Sequence, residues 1–179
     1  NSFANIEQIS NINGFNIIFL AVKPQQMKLT VKQFKTFDFM ETIFISIAAG
    51  LSVSWFKNKI DKNIKIVRAM PNLPASVGKG VTGYCTTKNL NINEEKNVFS
   101  LLSSFGKAIY IENEALIDVV TAISGSGPAY IFYLIEVLSK IGKNQGLDEK
   151  DAKSLAVETL IGSAKLLEKS NLDPQTLRY

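Results

Sequence analysis

Residues able to do chemistry are sparse in this chain, and their types narrow what it can do. There is no histidine, so the commonest general acid–base and the commonest metal ligand are both missing. The single cysteine, Cys85, excludes an intrachain disulfide and a zinc site of His and Cys. Its isolation suits a reducing compartment, so the expected location is cytoplasmic. Catalysis then rests on carboxylates, hydroxyls, Lys, Arg, backbone amides or a bound cofactor.

Three short stretches stand out because each falls where an apolar run ends: "AVKP" (Ala21, Val22, Lys23, Pro24), "AAG" (Ala48, Ala49, Gly50) and "RAMPN" (Arg68 to Asn72, with Met70 and Pro71 inside it). Pro and Gly end strands everywhere, so turn chemistry alone accounts for them. Small residues equally let a flat ligand approach the backbone, with Lys23, Arg68 and Asn72 supplying charge and hydrogen bonds. Spacing alone leaves both readings open. A fourth stretch, "SGSGPAY" (residues 124–130), reads as a shaped loop entering a helix. Ser126 is placed to cap that helix and Pro128 to sit in its first turn. The glycines permit positive φ and close backbone approach.

The elements that must carry these stretches alternate. Asn16–Val22 reads as a strand buried on both faces. Pro24 opens a helix with Met27, Val31 and Phe34 at helical spacing. Thr42–Ala49, Ile64–Met70, Val81–Thr86 and Lys107–Ile111 read as further strands. Ser52 caps a helix carrying Trp55, Phe56 and Ile60, and Asn93 with Glu94 and Glu95 starts another, with Val98, Leu101, Leu102 and Phe105 inward. This is the rhythm of an α/β doubly wound sheet, which binds ligands at the carboxyl ends of its strands.

After Glu112 the pattern turns helical. Leu116, Val119, Val120 and Ile123 mark one helical face; Ala129–Leu138 is apolar on every side except Glu136, ended by Gly142 and Gly146; Asp148 caps a last helix. In that helix Ala152, Leu155, Ala156, Leu160, Ser163 and Leu167 share a face, and Gly162, Ser163 and Ala164 are small enough for close helix contact. So much apolar surface in so short a segment favours association with a second copy over packing on the same chain. The division into domains is expected at 1–112 and 113–179.

Totals agree with a globular protein. The chain has 179 residues, 46% of them apolar, and a net charge of +4. The basic residues are scattered, unlike a nucleic-acid-binding face. The longest apolar runs, Ile17–Val22 and Ala129–Ile135, fall short of the roughly 20 residues of a membrane span, and no secretory signal is visible. No G-x-G-x-x-G dinucleotide fingerprint occurs, and the first residue is Asn; material is expected in front of it.

Taken in order, "FLAVKPQ", "SIAAG", "IVRAMPNLPASVGKGVTGY", "DVVTAISGSGPAYIF" and "GL…A…LA.ETLIGSAKLL" resemble pyrroline-5-carboxylate reductase from about Asn16 to Arg178, with "TAISGSGPAY" the strongest block. The resemblance implies a partial Rossmann-type sheet followed by an all-α dimerisation domain, and reduction of the C=N bond of 1-pyrroline-5-carboxylate to proline by NADPH or NADH. It implies a homodimer through the C-terminal helices, assembling in many members into larger rings, with no nucleic acid and no membrane as partner. Position by position, it puts Ala21, Val22, Lys23, Pro24, Ala48, Ala49, Gly50, Met70, Pro71 and Asn72 along the cofactor. It puts Glu114, Thr121, Ser124, Gly125 and Ser126 at the substrate, Glu114 near the ring nitrogen, with Asp118 on the same helical face as Glu114 and Thr121.

Two departures accompany it. The family's glycine fingerprint should precede Asn1, and its S-P-G-G-T-T-like loop, carrying a threonine near the imine, should follow Tyr179. No residue here is therefore assigned as catalytic, no metal is expected, and the polypeptide by itself is expected to be inactive. The alternatives are another Rossmann dehydrogenase, of β-hydroxyacid or prephenate type with a catalytic Lys or His in the helical part, and a catalytically inactive dimerising module.

Overall fold

The computed structural model describes residues 6–9, 14–34, 39 and 41–179. Its apolar, β-branched runs form one five-stranded sheet in sequential order: β1 (Ile17–Leu20), β2 (Ile43–Ser46), β3 (Lys65–Met70), β4 (Gly80–Thr86) and β5 (Gly106–Tyr110). β1, β2 and β3 are parallel, joined through α1 (Pro24–Lys32) and α2 (Val53–Lys59). β4 runs antiparallel to β3, pairing Arg68 with Cys85 and Met70 with Gly83. The doubly wound rhythm breaks there for a physical reason: the link holds only a 3₁₀ turn, Leu73–Val77, and a parallel return needs a dozen or more residues. α3 (Ile92–Ser103) then restores a parallel crossover to β5.

Each face of the sheet has its own core. Leu20, Phe44 and Ile66 pack with Met27, Val31 and Phe34 of the α1 segment and Phe56 of α2, and the Phe34, Phe39 and Phe44 rings meet edge to face at 5.1 to 5.4 Å. On the other face Ile43, Ile45, Val67, Ala69 and Tyr84 pack with Val98 and Leu102 of α3. Full burial of each large apolar side chain is worth about 1.5–3 kcal/mol.

Three local expectations shift. Among the described residues β1 pairs with β2, and Phe19 is 40% exposed there, where the expectation is a strand buried on both faces. The cap of α3 is Asn91, not Asn93: its side chain accepts from the Asn93 and Glu94 amides, and Glu94 accepts in return from the Asn91 amide, a reciprocal box that needs Glu three positions on. Beyond β5, a 3₁₀ turn (Glu114–Leu116) leads into α4 (Ile117–Val120). The residue facing inward there is Ile117, while Leu116, Val119 and Ile123 are exposed.

The chain divides into two compact units, Asn1–Ser126 and Gly127–Tyr179, whereas the sequence reading set the division at 112. α4 packs on β3 and β4, with Val120 so close to Gly83 that a Cβ there would stand 2.6 Å from its Cγ1. Any side chain at 83 would push α4 off the sheet.

The second unit is α5 (Gly127–Asn144), α6 (Glu149–Lys169) and α7 (Pro174–Arg178). Asp148 caps α6 as expected, accepting from the Lys150 amide. Gly146, with φ 100°, closes the turn after α5, but Gly142 lies inside the helix, its missing Cβ leaving room for Ala152 at 3.0 Å. Of the expected α6 face, Ala152 and Ala156 are buried while Leu155 is exposed. α5 buries none of its residues in the single chain. Helical residues run for 31 positions, Glu114–Asn144, long and apolar enough to cross a membrane by length and composition; apolar runs read one at a time miss this.

Candidate functional site

Three parallel strands ending together set the carboxyl edge of the sheet. After β1 come Ala21, Val22, Lys23 and Pro24, with Pro24 as the first residue of α1 and Lys23 making no side-chain cap. After β2 the Ser46 hydroxyl accepts from the Ala48 amide at 3.3 Å, and the chain turns at Gly50, whose φ of 75° favours glycine. Ser52 then caps α2, accepting from the Trp55 amide at 3.1 Å. These two strand ends present small residues, exposed in part except for the buried Ala48, and no titratable group besides Lys23.

The third strand end is built differently. Arg68, Met70 and Asn72 alternate along β3 and its extension, so they share one face. Arg68 is 5% exposed. One terminal nitrogen lies 2.6 Å from Asp118 Oδ1 and the other 3.3 Å from Glu114 Oε1, while Nε has no hydrogen-bond partner. Glu114 Oε1 also accepts from the Val53 amide at 2.7 Å, tying the first turn of α2 to the same corner. Asp118 is 71% and Glu114 33% exposed, so solvent screens both pairs, and losing either carboxylate leaves Arg68 the other.

Asn72 is equally committed. Its Oδ1 accepts from the Val81 amide at 2.9 Å and its Nδ2 donates to the Ser124 carbonyl at 3.1 Å. Between these rungs a Cβ on Gly125 would stand 2.8 Å from Met70 Cε. Arg68 and Asn72, read from sequence as charge and hydrogen bonds for a flat ligand, thus spend them on the chain itself. The sequence signal was present: an Arg in an apolar strand needs carboxylates, and Glu114 and Asp118 lie one helical turn apart.

The stretch opposite is a π turn, Thr121–Gly125, closed by the Ser126 amide donating to the Thr121 carbonyl at 2.8 Å. Such wide turns recur at functional sites. Ser126 is therefore helical, at φ −84° and ψ −18°, and does not cap a new helix. Gly125 and Gly127 are not among the positive-φ glycines; the glycine at 125 serves the close approach to Met70. The hydroxyls of Thr121 and Ser124 donate back to the Ile117 and Val120 carbonyls at 2.9 and 3.0 Å, leaving their oxygens able to accept.

Cys85 pairs with Arg68 across the two strands. Burial, with the Glu114 charge adding to it and Arg68 opposing, pushes its thiol up to about 11, so it is no nucleophile near neutrality. No group of three metal-binding side chains occurs among the described residues. Small strand ends, a wide helical turn and committed charges suit a reaction whose reactive group arrives with a bound molecule. In the second unit a groove of about 480 Å³ lies between α5 and α6, lined by Phe132, Ile135 and Ser139 with Lys140, Lys143 and Lys153.

Comparisons with known proteins agree with one another. The family model described as pyrroline-5-carboxylate reductase dimerisation matches residues 114–179. A pyrroline-5-carboxylate reductase of Haemophilus influenzae is 35% identical over 98% of this chain and 68% of its own length. One from Methanosarcina acetivorans is 35% identical over 91% of this chain and 60% of its own. The crystal structure of Plasmodium falciparum pyrroline carboxylate reductase with NADP bound superposes with a TM-score of 0.85 at 36% identity, over 90% of this chain and 61% of that one.

Proposed function

The chain belongs to the pyrroline-5-carboxylate reductase family, and on that premise we propose that the complete protein reduces 1-pyrroline-5-carboxylate to proline with NADPH or NADH. The carrying observation is likeness to the Haemophilus influenzae reductase over 98% of the chain. The chain spans about 60 to 68% of the length of these relatives, so the activity is assigned to the complete protein.

The strand ends fit the flat edge of a nicotinamide dinucleotide. Ala21, Ala48 and Ala49 add little bulk, and a Cβ at Gly50 would meet nothing within 4 Å. Ala21–Pro24 and Ala48–Gly50 would border the cofactor, with Met70 and Pro71 beside them, while the Asn72 side-chain amide is held by Val81 and Ser124. When bound, the cofactor supplies a hydride. The cyclic imine takes a proton on nitrogen, the hydride adds to the adjacent carbon, and the nitrogen keeps its proton as the amine. What this chain must do is hold the two planar groups in register and exclude water, which needs no histidine. Thr121, Ser124 and Gly125 of the π turn, with Ser126 just after it, are the substrate-facing candidates. Glu114, whose Oε1 serves Val53 and Arg68, is better read as bracing that corner than as gripping the ring nitrogen.

The open apolar surface of α5 supports a homodimer, a second copy replacing solvent along it; a larger ring adds nothing that this surface requires. A dehydrogenase with a catalytic Lys in the helical part is less well supported, since Lys140 and Lys143 are bound to Glu136 and Glu149. Complete protein mixed with pyrroline-5-carboxylate and NAD(P)H should show substrate-dependent loss of reduced-cofactor absorbance. Its absence would sink the reductase reading and leave the inactive dimerising module.

A further inference from the structure

Pro128 stands four residues after Ser124. In a regular helix the amide of residue 128 would donate to the carbonyl of residue 124, but proline has no N–H, and its ring crowds that carbonyl. The chain meets this problem with two features already described. The helix widens into the π turn Thr121–Gly125, and the Ser124 carbonyl takes its hydrogen bond from Asn72 Nδ2.

We propose that Asn72 is a positioning residue for the reaction: its side-chain amide replaces the donor that Pro128 lacks and thereby holds the π turn in its working shape. The role in the reaction rests on the function proposed above; the role in shaping the turn does not. Asn72 suits the task because its other end is fixed by the Val81 amide, so the donor cannot swing away without breaking a second bond. Met70 against Gly125 and Arg68 against Glu114 and Asp118 hold the same helical segment from neighbouring positions on one strand face. Three side chains two residues apart thus face 114–125 and set its register on the sheet. Cofactor contact, the role that family resemblance implies for Asn72, makes a different prediction.

The test uses the complete protein. Asn72→Asp keeps the acceptor for Val81 and removes the donor to Ser124. A misplaced turn should lower kcat about 100-fold, while cofactor affinity stays within about threefold. Exchange of the Ser126 amide, which closes the π turn, should speed at least about tenfold. A cofactor contact would instead weaken cofactor binding in step with turnover, and that result overturns the proposal, as does unchanged kcat with unchanged exchange.

Pro128→Ala provides the internal check, because the regained amide makes Asn72 redundant. Asn72→Ala should then disturb the folding equilibrium about fivefold less than it does with Pro128 present, the worth of one neutral hydrogen bond. Loss of the Val81 bond is common to both backgrounds and cancels; equal penalties overturn the proposal. If Asn72→Asp does not fold, the wild-type protein decides: a Ser126 amide exchanging like an unprotected one is the overturning result. If wild-type protein shows no reductase activity, the function reading falls, and the exchange and folding arms still judge the turn.

Discussion

The sheet unit and the helical unit solve the problem of apolar surface in opposite ways. In the first, both faces of β2 and β3 are covered from within the chain, and Phe44, Ile45, Ile66 and Val67 have no exposed surface. In the second, α5 leaves Phe132, Tyr133 and Leu134 open, and only Ala152 and Ala156 of α6 are buried. The difference teaches what each unit is for. One carries its own core and can hold its strand ends in fixed positions. The other keeps its core half-built, so a second copy has something to complete.

The contrast can be broken most forcefully at Phe44, which touches the rings of Phe34 and Phe39. Phe44→Ala should cost about 3–5 kcal/mol of unfolding free energy, measured by urea titration at fixed protein concentration. A loss below 1 kcal/mol, on the order of a surface change, would mean that the sheet unit is not self-sufficient. Phe132→Asp in the complete protein should leave the fold intact and weaken self-association about 100-fold, read by sedimentation. An unchanged dimer would move the interface away from this face of α5.

A smaller effect separates the units by pH. Lys65 lies 2.7 Å from Glu94 and 3.0 Å from Glu41. Burial alone would push Glu94 up, but hydrogen bonds from Lys65 and the Asn91 amide bring it below its ordinary 4.5. Its hydrogen bond to Glu94, with that to Glu41 adding, raises Lys65 above 10.5. A lowered carboxylate contributes stability that is present above 4.5 and lost as pH falls through the folded value. A raised ammonium contributes stability that is present below 10.5 and lost as pH rises through its own folded value. Sheet stability should therefore be level between those limits and fall outside them. Glu94→Gln should cost about 1 kcal/mol at pH 7 and flatten the acid limb; an unaltered acid limb would assign it to other carboxylates.

Much of this was legible in the residues. Pro24, Ser52 and Asp148 mark helix starts through local chemistry that needs no tertiary context, and Met27, Val31 and Phe34 are buried as their spacing requires. What was hidden depended on distant partners. An Arg in an apolar strand calls for carboxylates, but nothing near Arg68 says which of the chain's carboxylates come to it, and nothing near Asn72 says that Val81 and Ser124 will share its amide. The antiparallel β4 was missed because strand patterning does not show direction; the length of the link was the usable clue. The π turn was missed because glycine, serine and proline favour loops locally, and packing on β3 and β4 overrules them.

The antiparallel return from β3 to β4 has a consequence for the order of events in folding. A hairpin closed by a short link forms in about 1–10 microseconds, whereas the parallel pairs must first organise an intervening helix and lose more chain entropy. The strand bearing Arg68 and Met70 therefore has its partner early, with Asn72 and Val81 at the two ends of that same link. The segment 114–126 then arrives at a template already set, and its wide turn is moulded on the sheet instead of having to form first in isolation.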